Sequence, residues 1–148
     1  MPVQTNLPAT VQQALANYHS VTILPVQWGD MDAFGHVNNV VYIQWFESAR
    51  IDLLNSVPSA VTMASGGVAP ILVSIRCDYK KQLHFPDTVY IGSKVVKLGR
   101  TSFEIEHAVF SEQLQQIAAV GTSVVVVFDY AINRPVRIPK QLRQQFAT

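Results

Sequence analysis

Between residues 39 and 54 the chain carries its one long helical period, with Tyr42, Trp45, Phe46, Ala49 and Leu53 at i, i+3, i+4, i+7 and i+11. Side chains at this spacing share one helix face, so the segment must lay an aromatic stripe on an apolar partner. At about 1.5 Å per residue the helix is roughly 24 Å long. Asn38 or Asn39 can cap its start by accepting from first-turn amides, and Asn55, Ser56 and Pro58 end it. Nearly everything after the helix reads as strand. Residues 70–82 alternate, with Ile71, Val73, Ile75, Cys77 and Tyr79 on one face. Residues 88–97 and 102–111 form a hairpin about a tight turn at 98–101. The last strand, 117–128, is large on one face (Val120, Val124, Val126, Phe128) and small on the other (Ala119, Gly121, Ser123). Small residues let a helix approach closely, so this is a central strand covered on at least one side.

Ahead of the helix, residues 9–18 suggest a short helix or ordered arm, and 21–28 a first strand in which Pro25 implies an edge or bulge. Pro139 opens a short basic helix at the other end. Strand, long helix and four strands predict an α+β layer: one long helix on a five-stranded antiparallel sheet. The helix covers one sheet face, and the other face needs a partner or a polar surface.

Composition narrows the classes. With 148 residues a single domain is expected, its core at about 21–130 and a basic segment at 131–148. The chain is 49% hydrophobic and only 14% charged, which leaves little polar surface and points to self-association. A lone cysteine, Cys77, excludes an internal disulfide and a cysteine-pair zinc site. The net charge of +1 gives no global field for nucleic acid or an anionic membrane. No apolar run is long enough to span a bilayer, and the N-terminus lacks a basic flank and apolar core, so a cytoplasmic protein is expected. Charge is uneven, however. Residues 131–148 hold Arg134, Arg137, Lys140 and Arg143 with no acid, so the first 130 carry −3.

Chemistry concentrates just before the long helix, where Asp30, Asp32 and His36 share a turn. A carboxylate can act as base or nucleophile, while first-turn amides stabilise developing negative charge. Asp32 and Asn39 together could therefore serve acyl transfer or hydrolysis. On spacing alone, turn formation and capping are the commoner roles for such aspartates. Three potential ligands without a fourth make a poor metal site.

The stretch WGDMDAFGHVNNVVY at 28–42, followed by FESAR at 46–50, resembles the 4-hydroxybenzoyl-CoA thioesterase family of hotdog-fold acyl-CoA thioesterases. CDYKKQLHFPDTV at 77–89 and LGRTSF at 98–103 extend the likeness, which runs from about residue 21 to 128. It implies a hotdog fold and hydrolysis of a thioester to free CoA and a carboxylic acid, without metal or cofactor. The catalytic carboxylate would be Asp32, acting as general base on water or attacking directly through a mixed anhydride. The backbone amide of Asn39 would polarise the carbonyl, and His36 could hydrogen-bond the thioester or a water. Some members place a glutamate on the helix, which brings in Glu47, although an intrahelical pair with Arg50 explains that residue more simply.

Arg100 would hold the nucleotide phosphates, with Lys81 as a second contact and Lys80 and Lys97 as weaker candidates. Arg134 and Arg137 could reach CoA from a neighbouring subunit. Hotdog proteins pair into dimers or dimers of dimers, so a homo-oligomer, as a homotetramer, is expected. His107 reads as a satisfied buried group and Cys77 as packing. Two alternatives keep the fold: an acyl-carrier-protein thioesterase, for which only the basic 131–148 segment offers a face, and a non-catalytic acyl-CoA sensor.

Overall fold

The computed structural model describes residues 6–57 and 67–147. Its elements in chain order are α1 (Ala9–Ala14), β1 (Ser20–Val26), a 3-10 turn (Trp28–Asp30), α2 (Asn39–Asn55), β2 (Val68–Tyr79), β3 (Asp87–Leu98), β4 (Ser102–Ser111), β5 (Gln116–Asp129), β6 (Arg134–Pro135) and α3 (Lys140–Phe146). Five strands form one antiparallel sheet in the order β1-β3-β4-β5-β2, and the two-residue β6 pairs with β5. β5 is thus internal, and β1, which contains Pro25, is an edge, both as the sequence implies.

The stripe on α2 meets the sheet as its period requires. All five residues of the stripe are buried, joined by Val41 and Leu54. Asn38 is the cap, its side chain accepting from the Val40 amide at 3.2 Å. At the other end Ser56 closes the helix through its amide to Asp52 and Leu53, while Pro58 lies outside the described residues. The small face of β5 is the one under α2. A Cβ on Gly121 would sit 2.4 Å from the Phe46 ring and 2.6 Å from the Arg76 carbonyl, so only glycine leaves room for that ring.

Three expectations change. The alternation proposed for 70–82 breaks at a bulge between Leu72 and Ser74, which turns Val73 out to solvent. The second sheet face is partly covered by the chain itself: Leu7, Val11 and Leu15 pack on Tyr90, Ala108 and Phe110, opposite α2. The short helix after Pro139 forms as expected, but the core does not stop at about residue 130. Ile138, Leu142 and Phe146 enter the core beside Leu53, Phe103 and Val125. Among the described residues no helix is long and apolar enough to cross a membrane.

Candidate active site

The segment before α2 folds into a small closed hairpin. The Asp32 amide donates to the His36 carbonyl at 2.8 Å, the Gly35 amide donates back to the Asp32 carbonyl at 3.0 Å, and Met31 bridges Val37. Gly35 sits at φ +83°, a left-handed conformation that side chains disfavour. The Asp32 carboxylate accepts from the Phe34 amide at 2.9 Å through one oxygen, and its other oxygen accepts nothing from the described residues. Asp30 has a different task. Its carboxylate accepts from the Gln27 amide at 2.8 Å and its carbonyl from the Asn38 amide at 2.9 Å, which ties the 3-10 turn to the start of α2.

That start is open. Asn38 satisfies Val40, but among the described residues the Asn39 amide makes no hydrogen bond, as expected for the first helical position. Asp32, His36, Asn39 and Lys81 all border one cavity of about 420 Å³. Tyr42 and Tyr79 supply its aromatic wall, meeting edge to face at 4.9 Å. The Tyr79 hydroxyl donates to the Asn39 carbonyl at 3.1 Å, so β2 holds the helix start in place. Burial first, then the neighbouring Cys77, raises the Tyr42 phenol well above its ordinary range and keeps it neutral. The helical period puts Tyr42 in the core stripe, with a place near the helix start that also suits an acyl pocket, and alternation puts Tyr79 on a strand face; their meeting depends on how β2 crosses α2.

Arg100 is elsewhere. It lies in the β3–β4 turn, whereas the cavity opens at the opposite end of the sheet, where the Lys80 and Lys81 amides donate to Ala118. β4 alone, ten residues at about 3.3 Å each, separates these ends by about 30 Å. Arg100 instead borders a second cavity of about 460 Å³ with Arg137, Lys140 and Arg143. Arg143 donates to the Gly99 carbonyl, and none of the four cations forms an ion pair among the described residues.

Glu47 is exposed and borders neither cavity, and the expected pair with Arg50 does not form. Arg50 follows Phe46 by four residues and so faces the sheet, where it donates to the Ser123 hydroxyl at 3.2 Å. Ser123 belongs to a fully buried row in which His107 lies 2.9 Å from Ser93 through Nδ1 and 2.8 Å from Ser123 through Nε2. The Phe46 ring stacks on the imidazole at 4.7 Å. Burial, reinforced by the Arg50 charge, pushes His107 down to about 3, so it is neutral and satisfied. Burial likewise raises the Cys77 thiol. Among the described residues no group of three or more His, Cys, Asp or Glu could hold a metal ion.

Known proteins resemble this chain in sequence and in fold. The profile of the Thioesterase-like superfamily matches residues 26–146. Long-chain acyl-CoA thioesterase FadM of Escherichia coli K12 is 25% identical over 124 residues, 84% of this chain and 94% of that protein. Acyl-acyl carrier protein thioesterase ATL3 of Arabidopsis thaliana, a chloroplastic protein, is 24% identical over 135 residues, 90% of this chain and 70% of its own length. The crystal structure of the PA5185 protein from Pseudomonas aeruginosa PAO1 superposes with a TM-score of 0.79 at 33% identity, covering 90% of this chain and 92% of that one. The fold is therefore the hotdog fold. Because the family match takes in the Asp32 turn, α2 and the four strands that follow, the chain belongs to the Thioesterase-like superfamily and is a thioester hydrolase.

Proposed function

We propose that this protein is an acyl-CoA thioesterase whose reaction takes place in the Asp32 cavity. The observation that carries this reading is the meeting of a carboxylate and an unpaired helix-start amide at one opening beside an aromatic wall. The thioester oxygen accepts from the Asn39 amide. Asp32 then either takes a proton from attacking water or attacks the carbonyl itself to form a mixed anhydride that water hydrolyses; on both routes CoA leaves as thiolate and the carboxylic acid is freed. His36 hydrogen-bonds the thioester or the water, and Lys81 contacts the substrate at the rim. No metal or cofactor is required. The D-x-D-x-x-G-H-V-N-N motif supports placement with the 4-hydroxybenzoyl-CoA thioesterases. The same reading takes the chain as a single hotdog domain acting in the cytoplasm.

Recognition of the nucleotide falls to the basic cavity around Arg100, because guanidinium forks suit phosphate oxygens. Lying at the other end of the sheet from the catalytic cavity, Arg100 serves a neighbouring copy's site and not its own. The reading thus requires a homo-oligomer, a dimer or dimer of dimers. Of the two edge strands, β2 offers the apolar surface for such pairing, since its own Leu72 and Val73 are exposed. The same basic cavity favours one second reading, an acyl-carrier-protein substrate with an acidic surface.

The test is a thiol-trapping assay with butyryl-, palmitoyl- and benzoyl-CoA on wild type and Asp32→Asn. Thiol release by wild type, lost in a variant that still folds, is the expected result. Equal turnover in the variant overturns the assignment of Asp32. Release from an acylated carrier protein alone transfers the reading to that substrate.

A further inference from the structure

The hairpin that bears Asp32 is exposed, and its own bonds leave the Gly35 carbonyl without a partner inside the turn. That carbonyl is taken by a residue distant in sequence. His84, from the connection between β2 and β3, places Nδ1 2.9 Å from the Gly35 oxygen. A carbonyl only accepts, so Nδ1 carries the proton and donates. The same imidazole meets the His36 ring edge-on, with centroids 5.0 Å apart at 67°. Next to it the Val37 amide donates to the Leu83 carbonyl at 2.9 Å, so residues 83–84 run alongside 35–37. His84 itself does not border the cavity.

We propose that His84 is a positioning residue: by holding the Gly35 carbonyl and the edge of His36, it fixes the hairpin that presents Asp32 to substrate. Its catalytic consequence rests on the function proposed above; the brace on the turn does not. The side chain supplies two separable things, a hydrogen-bond donor and a ring edge. His84→Phe keeps a ring without the donor, and His84→Asn keeps a donor near the Nδ1 position without the ring.

The experiment measures thiol release from butyryl-, palmitoyl- and benzoyl-CoA together with hydrogen exchange over residues 31–37. In His84→Ala, kcat should fall about tenfold with KM nearly unchanged, the scale of one lost hydrogen bond. Exchange of the Asp32 and Gly35 amides should quicken. His84→Asn should recover most of both, and His84→Phe neither. The proposal is overturned if the phenylalanine variant matches wild type, if asparagine is no better than alanine, or if exchange in His84→Ala is unchanged. Should wild type release no thiol from any probe, the acyl-CoA reading fails separately, and exchange alone decides the brace.

Discussion

Two clusters in this molecule pair a histidine with polar neighbours, and they differ in what is left over. In the row beneath α2, both nitrogens of His107 are engaged by serines, Arg50 closes one end, and Phe46 lies flat on the ring. In the turn ahead of α2, Asp32 and Asn39 border a cavity, and one Asp32 oxygen and the Asn39 amide have no partner among the described residues. Buried polar groups must be satisfied, and once satisfied they have no valence to offer a substrate. Residue type alone does not separate the two; spare hydrogen-bonding capacity at an opening does.

The comparison can be broken most forcefully at Asp32. Replacement by Asn should reduce turnover of whichever acyl-CoA probe wild type hydrolyses by roughly 10²–10⁴-fold, the usual range for a catalytic acid or base. Its thermal transition should stay close to wild type, because the residue is exposed. His107→Ala should invert that pattern. It opens a void under Phe46, strands the buried Ser93 hydroxyl and leaves Ser123 only its bond from Arg50, at a cost of about 2–4 kcal/mol in denaturant unfolding. A stability loss below 1 kcal/mol would mean that the row is not a closed network.

Acidification sharpens the same contrast. The native His107 value, about 3, lies below its unfolded value near 6.5. Stability from this group is therefore complete above about pH 6.5 and falls as the pH drops towards 3, because only the unfolded chain takes the proton. At about 1.4 kcal/mol per pH unit, some 2 kcal/mol should be lost between pH 6.5 and 5. His19, lowered chiefly by burial, adds in the same direction. Replacing His107 by Gln should flatten the unfolding profile measured over that range. The smallest effect belongs to Asn38→Ala, which removes the cap of α2 and should cost about 1 kcal/mol by thermal melting.

Features set by local period were readable in advance. The α2 stripe follows from 3.6-residue spacing, the edge position of β1 from the missing amide of Pro25, and the crowded site over Gly121 from a run of small residues. The Asp32 turn and the start of α2 were also legible, since capping and turn chemistry act within a few residues. What escaped depends on where distant segments meet. Helical spacing offers Arg50 only Glu47, and it is the position of β5 that supplies Ser123 instead. Arg100 carries the right charge, but the hairpin turns it to the end of the sheet away from Asp32. The His84 contact needs the β2–β3 connection to pass beside Gly35, which no periodicity encodes. Leu7, Val11 and Leu15 do fall at helical spacing, yet α1 is only six residues long and reveals its face only when docked.

The strand order has a consequence for how the molecule is made. Among the described residues β1 pairs only with β3, and β2 only with β5, while β3, β4 and β5 follow one another as a local meander. A chain leaving the ribosome therefore exposes β1, the Asp32 turn, the aromatic face of α2 and β2 before any strand that receives them exists. The meander is the part that can organise from short-range contacts, and the earlier half must then close onto both of its margins across long stretches of chain. During that interval the stripe of Tyr42, Trp45 and Phe46 is unprotected, which makes it the segment most open to chaperone capture or misassociation during synthesis.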